Sequence, residues 1–247
     1  MTFPEKITSS TRNSKKQISV LIDPDKLNEK SCSNLAERAV ASGIDFFFIG
    51  SSIITGTNFE QCVGILKKTA IPVIIFPGNM SQISGSADGI LFLSLISGRN
   101  PEMLIGRHVL AAPILKKTSL EIIPTGYMLI DSGSPTSVSY MSGTFPIPHD
   151  KDEIAVCTAM AGEMLGLKVI YMDAGSGARF PVSKSMVNAV KKNISLPVIV
   201  GGGIRTPEKA AELCLAGADM IVIGNILEKE PALITELAAA VHSLQSI

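Results

Sequence analysis

The sequence predicts an α/β fold, a barrel of eight parallel strands alternating with helices, on three observations. Short β-branched apolar runs recur eight times, segments of helical spacing separate most of them, and the last two runs each end in glycine. Apolar runs without polar alternation suit strands covered on both faces, as in a parallel sheet wrapped by helices. Eight such runs in βα alternation fit a (β/α)₈ barrel, and 247 residues suffice for one domain over 1–247.

The elements follow in order. Residues 1–17 are polar and basic and read as an N-terminal extension. The runs Ile18–Asp23, Asp45–Gly50, Pro72–Phe76 and Gly89–Leu93 read as the first four strands. Leu120–Ile123 with Tyr127–Ile130 gives the fifth, and Lys168–Met172, Pro197–Val200 and Met220–Ile223 complete the set. Helical spacing marks Lys30–Ser42, Phe59–Lys68, Pro101–Lys117, Lys151–Leu165, Val182–Lys192, Pro207–Ala216 and Pro231–Leu244. Thr206-Pro207-Glu208 is a helix start, with a cap, a proline at the first helical position and an acid in the first turn. The alternation fails between Phe76 and Gly89, where the third helix is expected to be missing or replaced by an irregular segment. A second irregular stretch, Asp131–Asp150, is rich in Gly, Ser, Thr and Pro and suits a lid or a wall of a site.

Composition narrows the function. Hydrophobic residues make up 46% of the chain but aromatics only 5%, so the core is mainly aliphatic. Twenty-two basic and 22 acidic residues cancel, which argues against a dedicated nucleic-acid binder. Cys32, Cys62, Cys157 and Cys214 form no Cys-x-x-Cys pair and read as buried thiols of a reducing compartment, not a zinc site. The start carries no apolar secretory core, and no apolar run approaches the roughly 20 residues of a membrane span. A cytoplasmic protein is expected, with peripheral membrane contact left open.

Active sites of such barrels lie at the C-terminal ends of the strands. The first strand ends in Asp23-Pro24-Asp25-Lys26, the second in Gly50-Ser51-Ser52 and the third in Pro77-Gly78-Asn79. The sixth runs through Tyr171-Met172-Asp173-Ala174-Gly175-Ser176-Gly177-Ala178, the seventh ends in Gly201-Gly202-Gly203 and the eighth in Gly224-Asn225. Loops after the last two strands commonly bind phosphate, because glycine lets the backbone approach an anion and helix-start N–H groups supply donors. Asp23 stands where a carboxylate can hold Mg²⁺, with Ser51 or Ser52 adding a hydroxyl; the plainer reading is a turn that caps the next helix. The Tyr171–Ala178 loop combines a hydroxyl, a carboxylate and backbone donors, the mix a polyol phosphate needs. His108 and His242 fall in helical segments and read as structural or exposed, whereas His149 lies in the long loop within reach of the site. No Ser-His-Asp order or Cys-His pair is evident, so chemistry by metal, phosphate contacts and positioning fits better than covalent catalysis.

Taken together, the strand-end segments resemble the geranylgeranylglyceryl phosphate synthase family. They are Leu21–Lys26, Ile49–Ser52, Phe76–Asn79, Tyr171–Ala178, Val200–Arg205 and Ile223–Asn225, in order through nearly the whole chain. The first and fourth are the specific ones. Tyr127-Met128-Leu129-Ile130 and Pro146-Ile147-Pro148-His149 resemble its longer, archaeal-type branch. The resemblance implies a Mg²⁺-dependent prenyltransferase on a modified TIM barrel that lacks the third helix, leaving room for a long apolar tail. It implies transfer of a geranylgeranyl group from its diphosphate to the 3-hydroxyl of sn-glycerol 1-phosphate, forming the first ether bond of a membrane lipid. Asp23 would hold Mg²⁺ with Ser52. Tyr171 and the loop Met172, Asp173, Ala174, Gly175, Ser176 and Gly177 would hold glycerol phosphate. Gly202, Gly203, Gly224 and Asn225 would hold its phosphate. Lys26, from its place near the metal, would neutralise diphosphate charge. Many members of the family carry glutamate where this chain has Asp173, the acid expected to contact the glycerol hydroxyls and to accept the proton. Related members form homo-oligomers. A donor of another length, another phosphate-binding barrel such as an isomerase, and a non-catalytic glycerol phosphate sensor stand as alternatives.

Overall fold

The computed structural model describes residues 1–12 and 15–244. Eight parallel strands close into a barrel in sequence order: β1 (Gln17–Ile22), β2 (Phe46–Ile49), β3 (Val73–Ile75), β4 (Gly89–Leu95), β5 (Glu121–Leu129), β6 (Val169–Asp173), β7 (Val198–Gly201) and β8 (Met220–Ile223). β8 returns to β1 with Ser19 opposite Val222, and this pairing completes the ring. Each strand falls on an expected run. The two pieces of the fifth are one strand, because Pro124, Thr125 and Gly126 stay in register with Phe92, Leu93 and Ser94 of β4.

Alternation along the strands divides the core in two. Phe46, Phe48, Ile74, Leu91, Ile123, Tyr127, Val169, Tyr171, Ile199 and Val222 pack inside the barrel. Their neighbours, such as Phe47, Ile75, Met128, Ile170, Met172 and Val200, pack outward under the helices. Those helices include α2 (Glu29–Ala41), α3 (Phe59–Leu66), α4 (Arg107–Leu115), α6 (Asp152–Met164), α7 (Lys184–Asn193), α8 (Pro207–Ala216) and α10 (Leu233–His242). Local chemistry sets their starts: Asn28 and Ser31 form a capping box on α2, Ser183 caps α7 and Thr206 caps α8. The short helices α5 (Ser137–Ser142) and α9 (Ile226–Lys229) follow β5 and β8. Between β3 and β4 the regular structure is a single 3₁₀ turn, Met80–Gln82.

The segment read as a polar extension has a structural role. Helix α1 (Phe3–Arg12) puts Phe3 and Ile7, one turn apart, into the inner core. Phe3 meets Phe46 edge-on at 4.8 Å, and its N–H donates to Glu121 Oε1 at 2.6 Å. Phe46 and Glu121 begin their strands, so α1 closes the end of the barrel opposite the strand C-termini. Gln17, placed in the extension, opens β1. Cys32, Cys62 and Cys214 are buried as expected, but Cys157 is exposed on α6. His242 at the end of α10 bonds Asp45 Oδ2 at 3.0 Å, and that bond raises its pKa above the ordinary 6.5.

Two stability predictions follow from these contacts. Phe3→Ala removes the ring that fills the barrel end and is expected to cost about 3 kcal/mol in urea unfolding. A loss below about 0.5 kcal/mol would mean that α1 is not part of the cooperative core. The His242–Asp45 bond contributes fully below about pH 6.5 and is lost as pH rises through the raised folded value. His242→Asn should therefore lower the urea midpoint more at about pH 6 than at about pH 9. Equal losses at both would remove the charge contribution.

Candidate active site at the barrel mouth

A cavity of about 530 Å³ opens at the C-terminal ends of the strands. It has a carboxylate at each side and an apolar groove leading away.

The first side is built on β6, β7 and β8. Because residues alternate, Tyr171 and Asp173 face inward while Met172 between them faces the helices. Asp173 is only 6% exposed, so its charge requires internal donors. The Tyr127 hydroxyl donates to Asp173 Oδ2 at 2.6 Å, and the Gly175 N–H donates to Oδ1 at 2.8 Å. Burial pushes the Asp173 pKa up, and these two donors oppose it. Burial and the neighbouring Asp173 charge push the Tyr127 hydroxyl well above its usual range, so it stays a donor. Beneath them Phe76 stacks on Tyr171 at 5.2 Å, and Tyr127 packs 5.8 Å from Phe76. These rings are at once the top of the inner core and part of the cavity wall.

The glycine loops close over the same carboxylate. Gly202 has φ +82°, and a Cβ there would lie 2.6 Å from the Gly175 nitrogen and 2.8 Å from Asp173 Oδ1. Only glycine fits that strand end. Asn225 donates from Nδ2 to Ser176 Oγ at 2.9 Å, tying the β8 loop to the β6 loop. Lys26 Nζ lies 3.2 Å from Glu228 Oε1 and 3.5 Å from Asn225 Oδ1. It also lies 3.6 Å from Asp23 Oδ2, so it bridges the two sides.

Asp23 heads the second side, just past β1. Its Oδ1 accepts from the Asp25 N–H at 3.2 Å, and its Oδ2 accepts from the Ser51 hydroxyl at 3.0 Å. Asp25 accepts from Thr55 N–H and Oγ1 and from Gly56 N–H, with the Thr55 N–H bond the main cause of its lowered pKa. It anchors the loop after β2. The groove beyond is lined by Ile83, Phe92, Leu93, Met103, His108 and Leu115.

The cavity gathers Asp23, Lys26, Ser52, Tyr171, Asp173, Gly175, Ser176, Gly177, Gly202, Gly203, Gly224 and Asn225. Met172 and Ala174 are not on its wall: both are buried in the outer core, Met172 by strand alternation. Ser52 lines the cavity, but the hydroxyl that meets Asp23 belongs to Ser51. His108, expected away from the site, is buried in the groove wall with its ring 4.2 Å from Phe92. A π-helical turn at Glu102–Gly106 directly precedes α4, a shift in helical phase that a regular 3.6-residue reading cannot anticipate. His149 instead bonds the Pro181 carbonyl outside the cavity wall. Tyr127 and Arg107 also line the cavity, outside the expected set. Strand alternation through Ile123 and Tyr127 could have found the tyrosine, whereas no local signal marks the arginine.

Comparison with known proteins agrees with this geometry. The PcrB family model matches residues 11–241. The geranylgeranylglyceryl phosphate synthase of Chitinophaga pinensis is 57% identical over 229 residues, 92% of this chain and 91% of the relative. The structure of (S)-3-O-geranylgeranylglyceryl phosphate synthase from Thermoplasma acidophilum, solved with its substrate sn-glycerol-1-phosphate, superposes with a TM-score of 0.91 at 35% identity. It covers 99% of this chain and 100% of its own. The tryptophan synthase alpha chain of Legionella pneumophila reaches a TM-score of 0.62 at 19% identity over 100% of both chains, a likeness of fold alone. The chain belongs to the PcrB family, whose members include geranylgeranylglyceryl phosphate synthase.

Proposed function

We propose that this chain is a single-domain prenyltransferase that joins sn-glycerol 1-phosphate to geranylgeranyl diphosphate. The observation that carries the reading is a buried, hydrogen-bonded Asp173 facing Asp23 and Lys26 across one cavity that continues into an apolar groove. A small polar acceptor suits the first side, a diphosphate the second and an isoprenoid tail the groove.

The glycerol phosphate takes its phosphate to the Gly202-Gly203 and Gly224-Asn225 backbones and its hydroxyls toward Tyr171 and Asp173. Its 3-hydroxyl oxygen forms a bond to C1 of the prenyl group as the C1–oxygen bond to diphosphate breaks. The bonding pair leaves with diphosphate, and the hydroxyl proton passes to Asp173. Lys26 faces the departing charge. Asp173 is one methylene shorter than the glutamate expected in many members of the family, and the Tyr127 hydroxyl and Gly175 N–H fix where its oxygens lie.

The residues fit Mg²⁺. Among the described residues no group of three or more His, Cys, Asp or Glu forms a metal cage. A cage is not required, because Mg²⁺ commonly takes one or two carboxylates, keeps waters and completes its shell with substrate phosphate. Asp23 would supply the carboxylate, with Ser51 bonded to it and Ser52 on the wall of the same cavity. When bound there, the metal would stabilise the charge of the departing diphosphate.

The irregular link between β3 and β4 takes the place of the third barrel helix in this reading and opens a path for the tail. Exposed apolar side chains, among them Val109, Leu110, Tyr140 and Phe145, support a homo-oligomer. No helix among the described residues is long and apolar enough to cross a membrane, which is compatible with the proposed cytoplasmic location.

The test is transfer of radiolabel from geranylgeranyl diphosphate to an organic-extractable ether phosphate, with Mg²⁺ and with EDTA. Product with sn-glycerol 1-phosphate and Mg²⁺, lost in EDTA, is expected. No product with any prenyl diphosphate would move the function to another reaction or to a sensor. Asp173→Asn should lower kcat by about 100-fold or more, with a much smaller change in the glycerol phosphate KM. Unchanged turnover would remove the base role. Tyr127→Phe deletes a donor that holds the Asp173 pKa down. The acid limb of kcat/KM should therefore move to higher pH, and an unmoved limb would detach Asp173 from the proton transfer.

A further inference from the structure

Gln82 is 1% exposed in the irregular link after β3, where an amide would ordinarily be solvated. Its side chain instead ties together the loops after β2 and β3. Its Oε1 accepts from the Ser51 N–H at 3.2 Å and from the Gly78 N–H at 3.1 Å. Its Nε2 donates to the Ser51 carbonyl at 2.7 Å. The loops after β2 and β3 are in backbone contact here: a Cβ on Gly78 would lie 2.0 Å from the Ser51 carbonyl oxygen. Arg107 Nη1 donates to the Gly78 carbonyl from the other side at 2.7 Å.

Ser51 is the residue whose hydroxyl donates to Asp23 Oδ2. Asp23 Oδ1 is thus held by its own turn, while Oδ2 meets Lys26 at 3.6 Å and the hydroxyl of Ser51, whose backbone is gripped at both N–H and C=O by Gln82. We propose that Gln82 is a positioning residue that sets the Asp23 carboxylate through Ser51, and with it the affinity of this side for a metal-bound diphosphate. The inference rests on the proposed function only for the identity of that ligand. It gives the irregular link a task beyond leaving a gap: a helix would carry its side chains on a cylinder over the sheet, whereas a tight turn brings this amide back under the strand ends. Groups of this kind, one contact removed from a ligand, commonly change metal affinity or activity by about 10–100-fold when lost.

The test compares wild type with Gln82→Met, which keeps length and bulk but removes all three amide bonds. The probe is the unreactive geranylgeranyl thiolodiphosphate, titrated by calorimetry in Mg²⁺ and in EDTA. In Mg²⁺, Gln82→Met should bind about 10-fold more weakly and need more Mg²⁺ for half-saturation, with the sn-glycerol 1-phosphate Kd unchanged. In EDTA the two proteins should bind alike. Ser51→Ala, which cuts only the link to Asp23, should show the same loss, and the double variant should lose no more than either single one. If Gln82→Met does not fold, Gln82→Glu retains an acceptor for both N–H groups and should show the same metal-dependent loss at smaller size. A purely structural Gln82 would lower Tm while leaving Mg²⁺-dependent binding intact, and that result, or losses that multiply in the double variant, overturns the proposal. Failure of the wild type to bind the probe at all would instead strike the proposed function.

Discussion

A mostly buried carboxylate needs hydrogen-bond donors to offset its lost hydration, and Asp173 is placed by that constraint. Its two donors come from different elements: the Tyr127 hydroxyl from β5 and the Gly175 N–H from the loop after β6. The arrangement holds only while β5 and β6 keep the register that sets Tyr127 opposite Tyr171. The aromatic floor, the left-handed Gly202 and the closure of the barrel are conditions on the same carboxylate. A slip of one residue in β6 would turn Met172 inward and carry Asp173 into the helix layer.

The remainder of the site is organised by contrast with that buried charge. Asp23 and Lys26 lie on the rim, partly exposed and paired with each other, and Lys26 also meets Glu228 and Asn225. All eight parallel strands end at this face, so the buried and the partly exposed carboxylate share one cavity. Helix α1 seals the other end with Phe3 and Ile7, so the barrel is closed below the cavity.

The barrel was legible because burial on both faces writes itself as short apolar runs, and all eight were found in place. The strand-end residues were legible for a related reason: once a strand is located, its last residues must reach the mouth. Legibility ended where position depends on contacts distant in sequence. The alternation of β6 made Met172 legible as facing away, whereas Ala174 lies past the strand, where no period applies. Ser51 and Ser52 both follow β2, and only the fold shows that it is the Ser51 hydroxyl that donates to Asp23. His108 reaches the groove after a π turn shifts the phase of its helix. Phe3 and Ile7 sit in a segment whose average polarity hides one apolar face.

The most direct test is a crystal structure with sn-glycerol 1-phosphate and an unreactive prenyl thiolodiphosphate bound together. The account predicts the glycerol phosphate on the Gly202-Gly203 and Gly224-Asn225 loops, with its 3-hydroxyl on Asp173. The diphosphate would lie at Asp23 and Lys26, and the tail would run along Phe92 and His108. A glycerol phosphate bound at Asp23, or a 3-hydroxyl turned away from Asp173, would contradict it.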